Sequence, residues 1–416
     1  MKKLFLFLVV LGGFASFLKA QVVTIPDAKF KAYLVNNSNI NTNGDTEIQV
    51  SEATAFTGKI DCGGRRIVNL TGIEAFVNIT QLSCYNNQLN ALDVTKNTAL
   101  ITLHCYFNQL TALDVSKNTA LIQLLCSNNQ LTALDVSKNT ALKTLNCDNN
   151  QLIALDVNKN TDLKNLDCYA NQLTTLDISK NTALAILYCY SNQLTVLDVS
   201  KNTALVYLDF SNNQLTALDV SKNNDLIQLL CSNNQLTALD VTNKTDLIRL
   251  YCSNNQLTAL DVSKNTNLID LSCYNNQLGS LDIKNGKNNI MTYMYAYNNP
   301  SLACIQVDNV TNANSYTGGG RWLKNETASY STNCSAMSTT DITKNQIIAY
   351  PNPVKDLLNF SEEVSNIKIA DISGKVVKQI STTGKSINVA NLKNGVYIIS
   401  AKTKSGKDIN QKIIKE

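Results

Sequence analysis

Residues Leu100 to Ala120 read LITLHCYFNQLTALDVSKNTA, and nearly the same 21 letters return on either side. Cysteine falls at 84, 105, 126, 147, 168, 189, 231, 252 and 273, and Phe210 fills the one vacant place in that series. A fixed period of this length marks a solenoid, in which no unit buries its own apolar face and each is completed by its neighbours. Within the unit, Leu103 and Cys105 alternate with Thr102, His104 and Tyr106, so a short strand turns the first pair inward and the other three outward. Leu110, Leu113 and Val115 fill the rest of the wedge.

Leu100, Leu103, Cys105, Asn108 and Leu110 reproduce the pattern L-x-x-L-x-L/C-x-x-N-x-L, and from about Cys62 to Cys304 the chain resembles the leucine-rich repeat family. The expected fold is therefore a leucine-rich repeat solenoid of parallel β strands in 21-residue coils, a curved rod with a short helical N-terminal cap. About eleven coils at the ~4.8 Å strand spacing give a length of roughly 50 Å. Asn87, Asn108, Asn129, Asn150, Asn171, Asn192, Asn213, Asn234, Asn255 and Asn276 form a buried ladder whose amides satisfy backbone groups at the turn. Between Ile73 and Leu278 there is neither glycine nor proline, so asparagine does the turning. The segment Asp114 to Ala120 lies on the convex side, extended or in a single turn. The cysteine column reads as small buried apolar filler, since Phe210 takes the same place; disulfides or a metal are the competing reading.

Composition narrows the function. The 416 residues carry 36 Lys+Arg against 32 Asp+Glu, a net charge of +4, too balanced for a nucleic-acid binder. One histidine removes most metal and triad chemistry, and no G-x-S-x-G, H-E-x-x-H or glycine-rich phosphate loop occurs, so an enzyme is not expected. The aspartates from Asp93, Asp114 and Asp135 to Asp282 read as turn caps, with lysines such as Lys96, Lys117 and Lys138 three residues on.

Outside the repeats, residues 1–20 read as a secretory signal: Lys2 and Lys3, then the apolar run Leu4 to Phe14, then Ala20. No later stretch is long and apolar enough to span a bilayer. Residues 21–61 form an N-terminal cap with a helix around Ile25 to Leu34. Its loop resembles an EF-hand calcium loop, with Asn41, Asn43, Asp45, Glu47 (through its carbonyl), Gln49 and Glu52 at the oxygen-donor places. Asn41 replaces the usual aspartate and Thr46 the usual glycine. A structural calcium and a self-satisfied polar turn are both open here. The repeats occupy 62–303, with Met294 and Ala296 in the core of the last coil; 304–343 hold a C-terminal cap and linker. An exported chain favours a Cys304–Cys334 disulfide, against two isolated buried thiols.

Residues 344–416 change character. The β-branched runs Ile367 to Ala370, Val376 to Ile380 and Val396 to Ala401 alternate with turns at Gly374, Gly384, Gly395 and Gly406, which reads as an antiparallel β-sandwich. Tyr350-Pro-Asn-Pro-Val354, Asp356, Asp371-Ile-Ser-Gly-Lys375, Leu392-Lys-Asn-Gly-Val-Tyr397 and a basic end resemble the type A C-terminal sorting domain of the type IX secretion system of Bacteroidetes. The resemblance implies passage through the periplasm, recognition by the type IX machinery, and release or attachment to surface lipopolysaccharide. The repeat and cap region resembles internalin-like surface proteins.

Comparison of the repeats with one another locates the candidate site. Core and convex columns barely vary, whereas the outward strand columns do. Tyr85, His104, Tyr106, Tyr169, Tyr188, Tyr190, Tyr207, Arg249, Tyr251, Asp270, Tyr274 and Tyr295 project there, and tyrosine combines rigid apolar area with a hydroxyl. The expected function is binding of a protein or glycan ligand on the concave face. The alternative is a structural surface rod in which these tyrosines are sheet-compatible residues.

Overall fold

The structure, a computed structural model, describes residues 21–334, 349–371, 375–404 and 408–416. The leader 1–20, the linker from Ser335 to Lys344 and the turns at Gly374 and Gly406 lie outside the described residues. The chain divides into two compact units at the Cys334–Ser335 boundary.

In the first unit 13 strands stack in parallel into one sheet, from Lys59–Asp61 through Thr102–His104 to Trp322–Leu323. The register advances one repeat per strand, setting Thr102 beside Gln123, Leu103 beside Leu124 and His104 beside Leu125. Leu103, Leu124 and Leu145 are fully buried while both flanking residues of each strand are half exposed, as a period of two requires. The sheet is longer than the repeat pattern indicates. Lys59–Asp61 belongs to what reads as cap, and Trp322–Leu323 adds a strand beyond Met294 and Ala296, both of them buried. A second parallel sheet of 4 strands, Ala259–Asp261, Ser280–Asp282, Cys304–Gln306 and Ser329–Ser331, accompanies the last coils.

The asparagine ladder forms as the pattern requires. Asn171 Nδ2 donates to the carbonyls of Cys147 and Cys168, each at 3.1 Å, and its Oδ1 accepts the Leu152 N–H at 3.0 Å. Asn299 extends the ladder past Asn276 after two inserted residues. The residue just before each ladder position has positive φ, and it is asparagine in most coils but Phe107 (55°), Ala170 (50°) and Ser191 (54°) in three. Asparagine thus relieves most, not all, of the left-handed turns.

A second ladder runs through the convex turn. Asn118, Asn139, Asn160, Asn181, Asn202, Asn223 and Asn265 are fully buried, and Asn139 Nδ2 donates to the Val115 and Asn118 carbonyls at 2.9 and 2.8 Å. Lys244 takes this place in one coil, and its Nζ turns to Asn224 Oδ1 at 3.2 Å. The convex aspartates do cap turns: Asp114 Oδ1 accepts the Ser116 N–H at 2.8 Å.

Ten cysteines, Cys62 to Cys273, are buried and unpaired. Burial pushes the Cys62 thiol up to about 12 and that of Cys105 well above its ordinary value, so they are inert filler. Thiol titration of the native protein with an aromatic disulfide reagent is expected to give no reaction, and denaturation without reductant to release all ten.

Both ends are closed. Helix α1 (Ala28–Val35) starts at Asp27, whose Oδ1 accepts the Lys29 and Phe30 N–H groups at 2.9 and 3.0 Å. Its Oδ2 accepts the Val68 and Asn69 N–H groups at 2.8 and 3.3 Å, tying the cap to the first coil. Burial alone would raise the Asp27 pKa, but these four donors hold it below the usual value. At the other end Cys304 and Cys334 are bridged, Cα to Cα 5.8 Å, around the segment that holds helix α3 (Val310–Gly318) and the buried Trp322.

The second unit is antiparallel β: six strands hydrogen-bond into one sheet. The long strand Leu357–Asp371 pairs with residues of Gly384–Asn388 and Val376–Ile380 as well as with Gly395–Thr403, which lets the sheet close on a core of Leu358, Phe360, Ile367, Ile369 and Ile399. Asn352, from the proline motif, donates to the Lys412 carbonyl at 3.0 Å and accepts the Ile414 N–H at 2.8 Å, joining that motif to the basic end.

Candidate functional site

The tyrosines project from the outer face of the 13-stranded sheet, half exposed, in three groups rather than one continuous strip. Because neighbouring coils are in register, tyrosines in the same column stack: Tyr85 on Tyr106 at 4.9 Å, Tyr169 on Tyr190 at 4.2 Å and Tyr274 on Tyr297 at 4.7 Å, all with nearly parallel rings. His104 sits in the first group, its Nε2 3.1 Å from Gln123 Oε1 and its Nδ1 3.4 Å from Ser83 Oγ, an exposed-face residue without a catalytic partner in contact. Tyr188 and Tyr207 join the middle group on adjacent strands. Tyr251 and Tyr295 join the last, and Tyr293 adds a tyrosine the column comparison passed over. Arg249 and Asp270 face each other across adjacent strands, Nε to Oδ2 3.2 Å, so each neutralises the other.

Sequence reading assigned no role to the acids of the middle group. Asp148 is 1% exposed, and Asp167 and Asp209 are half buried on the same face. Burial, reinforced by the Asp148 charge, raises the Asp167 pKa from 3.8 to about 6. Burial likewise raises Asp148 and Asp209. The native state therefore disfavours the charged form of Asp167: its contribution to stability is full below the unfolded value of 3.8, is lost as pH rises through the folded value of about 6, and levels off only well above it. Asp167→Asn is expected to raise the melting temperature by a few degrees at pH 7.5, and the difference from the parent chain to vanish by pH 4. Paired thermal melts across that range check it.

The Asn41–Glu52 loop sits between α1 and helix α2 (Val50–Ala55). Its oxygens already have protein donors. Glu52 Oε1 accepts the Thr42 N–H, the Thr42 hydroxyl and the Asn43 N–H at 2.7, 3.0 and 3.2 Å, and Oε2 accepts the Gln49 N–H at 3.0 Å. Asp45 accepts from Glu47 N–H, Asn43 Nδ2 and Gln49 Nε2, and the Glu47 carboxylate pairs with Lys31 Nζ at 2.7 Å. Among the described residues no group of three His, Cys, Asp or Glu is close enough to hold a metal ion. In this structure these protein donors close a polar turn around the loop oxygens. Millimolar calcium is accordingly expected to leave the melting temperature where chelator leaves it, whereas Glu52→Ala lowers it by several degrees.

Residues 348–416 match the family of secretion system C-terminal sorting domains. No curated protein matches the chain. Among solved structures, the functional domain of InlJ from Listeria monocytogenes, which includes a cysteine ladder, is 25% identical with a TM-score of 0.53, covering 95% of this chain and 100% of that one. An internalin, InlF from Listeria monocytogenes, is 19% identical with a TM-score of 0.56, covering 74% and 95%. The Arabidopsis receptor kinase HAESA, solved with the peptide hormone IDA and the co-receptor SERK1, is 22% identical with a TM-score of 0.52, covering 61% and 47%. Among the described residues no helix is long and apolar enough to cross a membrane. The chain is a secreted surface protein: an internalin-like leucine-rich repeat solenoid carrying a type IX secretion sorting domain at its C-terminus.

Proposed function

We propose that the outer face of the sheet binds a protein or glycan ligand outside the cell, and that the C-terminal domain engages the type IX machinery during export. The observation that carries the first part is the contrast between invariant core columns and variable outward columns on a rigid frame. Leu103, Leu124 and Leu145 repeat one residue, while the neighbouring outward place holds His104, Leu125, Asn146, Asp167 and Tyr188. A scaffold that only had to stack would also keep its core, but its exposed convex columns would vary as freely as the outward ones, and they barely vary. Supporting it, the structurally similar HAESA was solved in complex with a peptide hormone. Release from the surface or attachment to lipopolysaccharide belongs to the same proposal.

Binding is tested by Tyr188→Ser, Tyr190→Ser and Tyr251→Ser combined, screened against extracellular host proteins and a glycan array. These tyrosines point outward, so the variant keeps the parent's core. Loss of capture in a folded variant supports the reading; unchanged capture, or none by the parent chain, leaves the structural rod. Routing is tested by deleting Tyr350 onward: retention in the periplasm is expected, and arrival at the cell surface overturns it.

A further inference from the structure

The middle of the sheet face holds charge with no counter-charge. Asp148 Oδ2 accepts the Asn149 amide at 2.6 Å, but its Oδ1 is sealed from solvent and accepts nothing. Asp167 Oδ1 is in the same state, and its Oδ2 has only a long 3.4 Å contact with Asn146 Nδ2. Asp209 lies two strands on, with Tyr188 between it and Asp167 in the register; its Oδ1 accepts the Ser211 N–H at 2.9 Å, so it adds charge rather than an unpartnered oxygen. The stacked Tyr169–Tyr190 pair borders the acids. The two ion pairs among the described residues, Lys31–Glu47 and Arg249–Asp270, lie elsewhere.

This is not general acidity of the fold. The convex aspartates are exposed and each is capped by its own turn, Asp114 by Ser116 and Asp135 by Ser137. Leaving carboxylate oxygens desolvated and unpaired costs free energy, and a cation that docks on them recovers it. Aromatic rings beside carboxylates suit a guanidinium or ammonium, which donates charge-assisted hydrogen bonds to the carboxylates and makes a cation–π contact with the rings. A bare metal ion is disfavoured, since no three acids stand close enough together among the described residues.

We propose that Asp148, Asp167 and Asp209, with Tyr169, Tyr188 and Tyr190, form the docking site for a basic side chain, arginine above lysine, of a polypeptide partner. This rests on the sheet face being the binding surface and names the chemistry of what binds there. Turning the Asp167 carboxylate about its last torsion, which is soft for aspartate, presents the unpartnered oxygen to the incoming cation.

The test is calorimetric titration of the full chain at low salt with an acetylated, amidated tetra-arginine peptide, alongside tetra-lysine and tetra-glutamine. The variants are Asp148→Asn with Asp167→Asn, and Asp114→Asn with Asp135→Asn on the convex side as a control of equal charge change. Thermal melts confirm folding. Binding of tetra-arginine is expected to weaken at least tenfold in the first variant and not in the second. Equal weakening in both, none in either, or no binding by the parent chain overturns the proposal. So does calcium chloride that stabilises the parent but not the first variant, which would make the acids a metal site. If a partner captured through the tyrosines is indifferent to Asp148→Asn and Asp167→Asn, the binding face stands and the basic-side-chain proposal falls.

Discussion

Asn171→Ala is expected to lower the unfolding free energy by about 2–4 kcal/mol, measured by denaturant titration. The amide joins two successive coils: it accepts from Leu152 and donates to the carbonyl of Cys147 in the preceding coil, and it donates to the carbonyl of Cys168 in its own. Those carbonyls have a second donor each, Asn150 for Cys147 and Asn192 for Cys168, so the single substitution leaves them half satisfied. Only the Leu152 N–H is orphaned outright, which costs about 1–3 kcal/mol, and the lost bonds and the void add the remainder. A second substitution at Asn150 then removes the last amide donor to Cys147. The double variant should lose on the order of 1 kcal/mol more than the sum of the singles, the mark of a shared acceptor. Since a solenoid is coupled only through nearest neighbours, the loss also weakens one interface selectively, and the two flanks should separate in the unfolding curve. Additive losses in a single cooperative step would show that the ladder is a row of independent contacts.

The repeat columns made the strand, the inward leucines, the thiols and the first ladder readable, because each is set by position within one unit and confirmed by repetition. What one unit cannot show is which partner a neighbouring coil supplies. Asn118 reads as a turn former in a polar segment, yet it is fully buried and its amide bonds to the Val94 and Asn97 carbonyls of the preceding coil. Its recurrence as Asn97, Asn139 and Asn160 was the available signal, since a solvent-facing turn would tolerate serine or aspartate. The cap loop is a different case. Its oxygen donors have the spacing of a cation site, but spacing does not fix the direction of a carboxylate, and Glu52 turns to the N–H groups of Thr42 and Asn43. Trp322 was hidden by the insertion of α3 between it and the last regular coil, which breaks the period without ending the sheet. The acids of the middle group lay in plain view in the variable columns; the lack of partners at Asp148 and Asp167 depends on Asn146, Asn149 and Tyr188 in and beside them, a property of the assembled face.

Opening the Cys304–Cys334 bridge, by paired substitution with serine or by reductant, is expected to cost the C-terminal end about 3–4 kcal/mol. The figure follows from the sequence separation of 30 residues and the chain entropy that a loop of this size regains when unfolded. The bridged segment is where the sheet stops: Trp322 pairs with Met294 as the final strand, donates its Nε1–H to the Met291 carbonyl at 3.2 Å, and packs between Tyr316 and Tyr330. Without the crosslink this cap is held by that packing, by the pairing of Ser329–Ser331 with Cys304–Gln306 and by single hydrogen bonds such as Asn325 to the Asn299 carbonyl, whereas the coils behind it keep both asparagine ladders. The loss should therefore be local, and the chain reports it directly because Trp322 is its only tryptophan. In the intact protein, tryptophan emission and far-ultraviolet dichroism should follow one denaturation curve. In the opened protein the emission change should move to lower denaturant and precede the dichroism change. Curves that shift together would mean the cap and the coils unfold as one unit and that the bridge stabilises the whole solenoid; no shift in either would mean that the packing around Trp322 closes the end unaided.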